Sequence, residues 1–185
     1  MTLLIIGLFV FLFPHFWREL GLRDKLINQI ASENTYKGIF SLLSLAGLLL
    51  IIYGKAQAPF IMVWQPLFEW RWLSHLFMLP ALVLVMAGNL PMSHFRMGLR
   101  HPMMLGVALW GIAHLWANGD LASMLLFGSF TLWSLIKFVT LHSQPRPLKQ
   151  PRVVWDVIVI LFGLALYGLI FTYHGQLFGV GLSVI

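Results

Sequence analysis

The sequence predicts an all-α, polytopic transmembrane bundle of about six helices, with one amphipathic interfacial segment after the first helix. Of its 185 residues, 59% are hydrophobic and only 10% are charged, whereas soluble domains carry about 25% charged residues. A single core of this size cannot remove so much apolar surface from water, so lipid must be the solvent for most of the chain. Six spans of about 20 residues fit one domain over residues 1–185 and leave only short connections.

Six hydrophobic runs define the expected spans, and several are shorter than an ideal span. They cover residues 2–17, 38–53, 72–90, 102–117, 121–141 and 153–173. The first run lacks a basic start and a small-residue cleavage site. We therefore interpret it as a retained helix and not as a signal peptide.

The connections between the runs carry their own signals. Residues 18–37 mix charged residues with leucine and isoleucine, a pattern typical of a short amphipathic helix at the membrane interface. Between the fourth and fifth spans, Gly119 suits a helix end and Asp120 suits the N-cap of the next helix. Prolines at 145, 147 and 151 predict a loop over residues 144–151.

The distribution of positive charge predicts the orientation. The net charge is +6, but the basic residues are scattered through the loops, which favours a topology signal over nucleic-acid binding. With six spans, ten of the 12 Lys and Arg residues fall on one side, and only Lys55 and Arg71 fall on the other. Since positive residues in short loops stay in the cytoplasm, both termini are expected outside.

Histidines in or beside the apolar runs are the candidate site residues, because ionisable side chains at membrane depth are costly. His15 follows the first run, and His101 precedes Pro102, a proline suited to the first helical position, so that His101 is also a plausible N-cap. His114 lies inside its span. Its buried imidazole needs a partner, either a hydrogen bond with Asn118 one turn away or a metal.

Three further histidines are less informative. His75 opens the third span and fits either an interfacial or a site role, whereas His142 and His174 fit the membrane interface. Gly106 and Gly111 narrow the fourth span, so that another helix or a flat cofactor can approach it.

Several kinds of site are disfavoured by the residues present. His101 and His114 lie about 140° apart around one helix and about 20 Å along it, so they cannot bind one ion. A zinc site lacks thiolates, since the chain has no cysteine, and it also lacks carboxylates inside the spans. No buried acid suits a serine hydrolase, and no phosphate-binding glycine pattern occurs. Two imidazoles from different helices on a heme iron remain chemically sensible, because they need only neutral donors and an apolar slot.

Motifs along the chain resemble the NnrU family of membrane proteins over about residues 1–140. They are Arg-His-Pro-Met-Met-Leu-Gly at 100–106, Leu-Trp at 109–110, Ala-His at 113–114, Ala-Asn-Gly-Asp-Leu-Ala-Ser at 117–123, and upstream His15, Glu-Asn at 33–34, Tyr-Lys-Gly at 36–38 and Ser-Leu-Leu-Ser-Leu-Ala-Gly at 41–47.

The resemblance implies a bacterial inner-membrane protein, here with both termini periplasmic, linked to expression or assembly of the nitrite and nitric oxide reductases of denitrification. A distant relative, zeta-carotene isomerase, holds heme b between two histidines that match His15 and His114. Heme b is therefore the expected cofactor, with His15 and His114 as iron ligands and His101 and Asn118 as further cofactor-binding residues. If that pair cannot meet, His75 is the substitute partner for His114, and His101 is the substitute for His15.

Two alternatives stay open. The first is a heme-dependent cis-trans isomerase of a polyene or another lipid-soluble substrate, and the second is an assembly factor without a cofactor. Another histidine of the isomerase, near the end of its second span, has no counterpart, because residues 53–57 read Tyr-Gly-Lys-Ala-Gln. This difference weighs against the isomerase reaction more than against heme binding. The expected partners are the bilayer and either the denitrification enzymes or a lipid-soluble substrate, and no catalytic residue is assigned.

Overall fold

The computed structural model describes residues 1–30, 32–142, 149–179 and 182. Within these ranges the secondary structure is almost entirely helical, with a 3-10 turn at Phe68–Trp70 and one isolated bridge between Met62 and Asp120. The helices are α1 (Thr2–His15), α2 (Leu22–Ile30), α3 (Glu33–Ala56), α4 (Trp72–Asn89), α5 (His94–Leu99), α6 (Pro102–Ala117), α7 (Leu121–His142) and α8 (Val153–Phe178). The all-α prediction is confirmed.

Each of the six expected spans is a helix. By length and composition, α3, α4, α7 and α8 can cross a membrane, whereas α1 and α6 are apolar but shorter. With 14 and 16 residues, these two helices extend about 21 and 24 Å, less than the roughly 30 Å of an apolar layer. The fold is that of a multi-pass membrane protein.

The connection after α1 is shorter than expected. The short helix that the sequence predicts within residues 18–37 is α2, which occupies only part of that stretch and has no buried residue. The remainder begins α3, because the Ser32 hydroxyl accepts from the Thr35 amide at 3.2 Å and caps the helix. Of the expected loop before the last span, residues 149–152 are not helical, and Pro145 and Pro147 lie outside the described residues.

The chain forms two compact units. The first, unit 1, comprises Met1–Trp64 with Asp120–Ser129, and the second, unit 2, comprises Gln65–Gly119 with Phe130–Ile185. Helix α7 therefore contributes its first part to unit 1 and the rest to unit 2. The expectation of one domain over residues 1–185 stays a prediction.

In unit 1, α1 packs antiparallel on α3 through glycines. A Cβ atom at any of three positions would overlap the backbone of the opposite helix: Gly7 faces Ile51, Gly47 faces Phe11, and Gly54 faces Leu4. At Gly47 the added atom would lie 2.6 Å from the Phe11 nitrogen. Small residues at such contacts allow the close approach on which helix association in lipid depends.

In unit 2, α4 lies antiparallel to both α6 and α8. The contacts are Gly88 with Met103, Gly106 with Ala81 and Val85, and Gly163 with Val83. Gly106 therefore makes room for a helix, the first of the two uses expected for it. Since α6 and α8 both oppose α4, the chain must reverse direction between them, which α7 accomplishes.

The glycine contact between α1 and α3 gives a direct test. We expect Gly47→Ala to lower stability by about 1–3 kcal/mol, because the added methyl group overlaps the Phe11 backbone. The matched control is Gly38→Ala on the same helix, where no atom lies within 4 Å of the added Cβ, so stability should be kept or gain up to about 1 kcal/mol. Thermal unfolding in detergent measures both, and equal unfolding temperatures would contradict the contact.

Candidate functional site

His15 is the last residue of α1 and lies partly buried in unit 1. Its ring Nδ1 donates to the Phe11 carbonyl at 2.6 Å, one turn earlier in the same helix. The ring stacks on Phe11 with centroids 4.6 Å apart and lies 4.9 Å from the ring of Phe40 on α3. A carbonyl only accepts, so Nδ1 carries the proton, and the lone pair of the neutral ring is on Nε2.

His114, in the last turn of α6, shows the same arrangement in unit 2. Its Nδ1 donates to the Trp110 carbonyl at 2.8 Å, and the two rings lie 5.1 Å apart. Trp110 in turn meets Phe130 of α7 edge to face at 5.8 Å. This imidazole also has its lone pair on Nε2.

Asn118 acts on the backbone beside His114. Its main-chain amide and its side-chain amide both donate to the His114 carbonyl, at 2.9 and 2.8 Å. A hydrogen bond with Asn118 is one of the two partners that the sequence suggests for the imidazole, the other being a metal. The Asn118 bonds go instead to the main chain and close the end of α6. The ring itself is oriented by Trp110.

His101 precedes the first residue of α6, at the N-cap position the sequence predicts, although its side chain makes no capping bond. Instead, Nε2 donates to the Leu141 carbonyl at 3.0 Å, near the end of α7. Burial lowers the pKa of His101 by more than this carbonyl raises it, so the ring is neutral at pH 7. Its Nε2 is a donor, in contrast to Nε2 of His15 and His114.

The structure describes the two expected iron ligands in different units, His15 in unit 1 and His114 in unit 2. Their pairing, and the substitute pair of His15 with His101, stay predictions. In unit 2, His75 bonds through Nδ1 to the Tyr167 hydroxyl at 3.2 Å and contacts Phe171. Among the described residues, no group of three or more His, Asp or Glu side chains is placed to hold a metal ion.

Lys55, Asp120 and Ser123 form a polar cluster in unit 1 that we did not predict. Lys55 Nζ donates to Asp120 Oδ1 and to Ser123 Oγ, both at 2.8 Å. Asp120 caps α7, as predicted, by accepting from the Ser123 amide at 3.0 Å. Burial alone would raise the pKa of Asp120, but the Lys55 ammonium and the Ser123 donors outweigh it and hold that pKa below its usual value.

The sequence contained a partial signal for this cluster. A lysine at the end of a long apolar helix needs a counter-ion, and Asp120 is a carboxylate at the start of another apolar helix. The two residues are 65 positions apart, however, so only the fold pairs them.

The family model described as NnrU protein matches residues 3–182. The chain belongs to the NnrU family. The match continues past residue 140, where the motifs of the resemblance end, and includes α8. No curated protein and no solved structure matches this NnrU-family chain. The relation to zeta-carotene isomerase stays a prediction.

The ion pair of Lys55 with Asp120 should stabilise this NnrU-family protein. Asp120→Asn keeps an N-cap acceptor but leaves the ammonium without its carboxylate. We expect a loss of about 1–2 kcal/mol, less than for fully buried pairs because the Lys55 side chain is 33% exposed. The matched control is Asp24→Asn, which removes an 84% exposed partner of Arg23 and should change little.

The same pair predicts a pH dependence. The folded-state pKa of Asp120 is lowered. The ionised carboxylate therefore contributes its full share to the free energy of unfolding above the ordinary pKa of 3.8, and this share is lost as the pH falls from there toward the folded-state pKa. The difference in unfolding temperature between wild type and Asp120→Asn should therefore be constant near neutral pH and shrink below 3.8. A difference that is absent at neutral pH would contradict the stabilising role.

Proposed function

We propose that this NnrU-family protein binds heme b in the bacterial inner membrane through His15 and His114. The observation that carries this proposal is the ring arrangement that the two histidines share. In each, Nδ1 donates to the carbonyl one turn earlier, as the second nitrogen of metal-ligating histidines does. Nε2 then has the lone pair that an axial ligand offers to iron.

The surroundings also suit a porphyrin. Aromatic rings lie beside both imidazoles, those of Phe11 and Phe40 at His15 and that of Trp110 at His114. Each set of rings gives its imidazole the apolar surroundings that suit an axial ligand of heme. When bound, heme would supply a redox-active iron.

His101 and Asn118 are positioning residues in this proposal. His101 ties the start of α6 to Leu141, and Asn118 closes the end of α6 at the His114 carbonyl. Together they fix the helix that carries His114. Neither is proposed as an iron ligand.

For the wider role, we infer a part in the expression or assembly of the nitrite and nitric oxide reductases of denitrification, with the bilayer and these enzymes as partners. This inference rests on membership of the NnrU family and on its motifs in the chain. The heme experiment below does not depend on it.

Heme binding is tested by absorption spectra of the purified protein in detergent. We expect a Soret band and reduced bands typical of two histidine ligands after expression with added heme. His15→Ala and His114→Ala should each lower heme affinity at least about tenfold, because each removes an axial donor. His114→Met should keep some heme with a changed spectrum, since a different ligand then meets the iron.

His142→Ala is the matched control, because His142 also ends a helix beside an aromatic ring, that of Phe138. It should keep the wild-type spectrum. A wild-type protein without a Soret band would overturn the proposal in favour of an assembly factor without a cofactor. An unchanged spectrum in the double variant of His15 and His114 would exclude this ligand pair.

The proposed orientation places both termini in the periplasm, and single cysteines can test it. The chain has no cysteine of its own, so no background labelling arises. Gln57→Cys and Leu182→Cys should react with a membrane-impermeant maleimide in intact cells. Lys25→Cys, on the basic side, should react only after the inner membrane is permeabilised. The reverse pattern would invert the proposed orientation.

A further inference from the structure

A cavity of about 280 Å³ lies in unit 2 beside the start of α8. One wall is the turn after α4, with Pro91 and Met92, and the other is the segment leading into α8, with Lys149, Gln150, Arg152 and Trp155. The Arg152 amide donates to the Met92 carbonyl at 3.1 Å and joins the two walls. This bond therefore holds the two walls of the open cavity together at one point.

The cavity is positively charged. Lys149 and Arg152 are both exposed, and neither forms an ion pair with a carboxylate in the described part of the chain. Asp156, in the first turn of α8, already has a partner in His94. The carboxylate accepts hydrogen bonds from the main-chain amide of His94 at 2.8 Å and from its ring Nδ1 at 2.5 Å. Arg96 adds a further cation nearby, since its guanidinium bonds to the Leu90 carbonyl at 2.7 Å. An anion would meet two uncompensated cations here.

The cavity also borders the apolar layer. Immediately after Arg152, Val153 and Val154 expose 68% and 51% of their surfaces, as lipid-facing residues do at the start of an apolar helix. Trp155, in the cavity wall, is the residue type enriched where head groups meet acyl chains. A ligand that fits this border has an anionic head and an apolar tail.

We propose that this cavity binds the phosphate of an anionic phospholipid head group, with Lys149 and Arg152 as its cationic contacts. Basic pockets beside transmembrane helices commonly bind such head groups. A free phosphate shares the charge but gains nothing from the exposed valines, so the lipid is the ligand we infer. This site is independent of heme and goes beyond the proposed function.

Native mass spectrometry of the full chain in detergent tests the site, with phosphatidylglycerol, phosphatidylcholine and inorganic phosphate as probes. Wild type should retain phosphatidylglycerol in preference to phosphatidylcholine. Lys149→Gln and Arg152→Gln should each weaken that retention about fivefold, since each removes one cation at the membrane surface. Arg152→Lys keeps the charge and should restore most of it, which separates a binding defect from a folding defect.

The matched control is Lys25→Gln, which removes one exposed positive charge from α2 and does not belong to the residues that line the cavity. It should retain phosphatidylglycerol as wild type does. An equal loss in Lys25→Gln would overturn the proposal, because lipid would then respond to total charge. The proposal would also be overturned if Lys149→Gln and Arg152→Gln retained the lipid as wild type does. It would fail as well if inorganic phosphate displaced the lipid at equal concentration.

Discussion

Van der Waals contact between antiparallel helices is the interaction on which each unit depends, because lipid tails are as apolar as leucine and provide no hydrophobic force between helices. Glycines meet this need at Gly7, Gly47 and Gly54 in unit 1 and at Gly88, Gly106 and Gly163 in unit 2. In both units a short apolar helix lies on a longer one, α1 on α3 and α6 on α4. The two expected iron ligands lie at the ends of the short helices. A helix of 14 or 16 residues that started at one boundary of the apolar layer would end inside it. A histidine in its last turn would then lie within the apolar layer.

Such a histidine can satisfy one ring nitrogen within its own helix. The carbonyl one turn earlier serves this purpose for both His15 and His114, and it removes the cost of burying an unpaired N–H group. The same bond selects the tautomer of the neutral ring, in which Nδ1 carries the proton and Nε2 carries the lone pair. His101 shows the contrast. It lies between two helices, uses Nε2 to reach Leu141, and thereby joins α6 to α7.

Local patterns predicted most of the fold, because apolar run length and capping residues act over a few positions. The six spans and the Asp120 cap follow from such patterns. The early start of α3 was missed because Glu33 and Lys37 resemble a polar connection, whereas the Ser32 cap and the ion pair of these two residues at 3.2 Å continue the helix. The pairing of Lys55 with Asp120 depends on tertiary contact and not on spacing. The tautomers of His15 and His114 could not be predicted either, because the sequence alone does not show which carbonyl each ring contacts.

The charged residues on which the proposed orientation rests are not equivalent in the structure. Lys55 is one of the two outer cations in that orientation, and it forms an ion pair with Asp120. On the basic side, Glu33 pairs with both Arg23 and Lys37, while Lys149 and Arg152 line the unit 2 cavity without a carboxylate partner in the described residues. Uncompensated cations are the ones that an anionic membrane surface attracts. In the proposed orientation, Lys149 and Arg152 therefore contribute to the positive charge of the cytoplasmic side and also line the proposed lipid site.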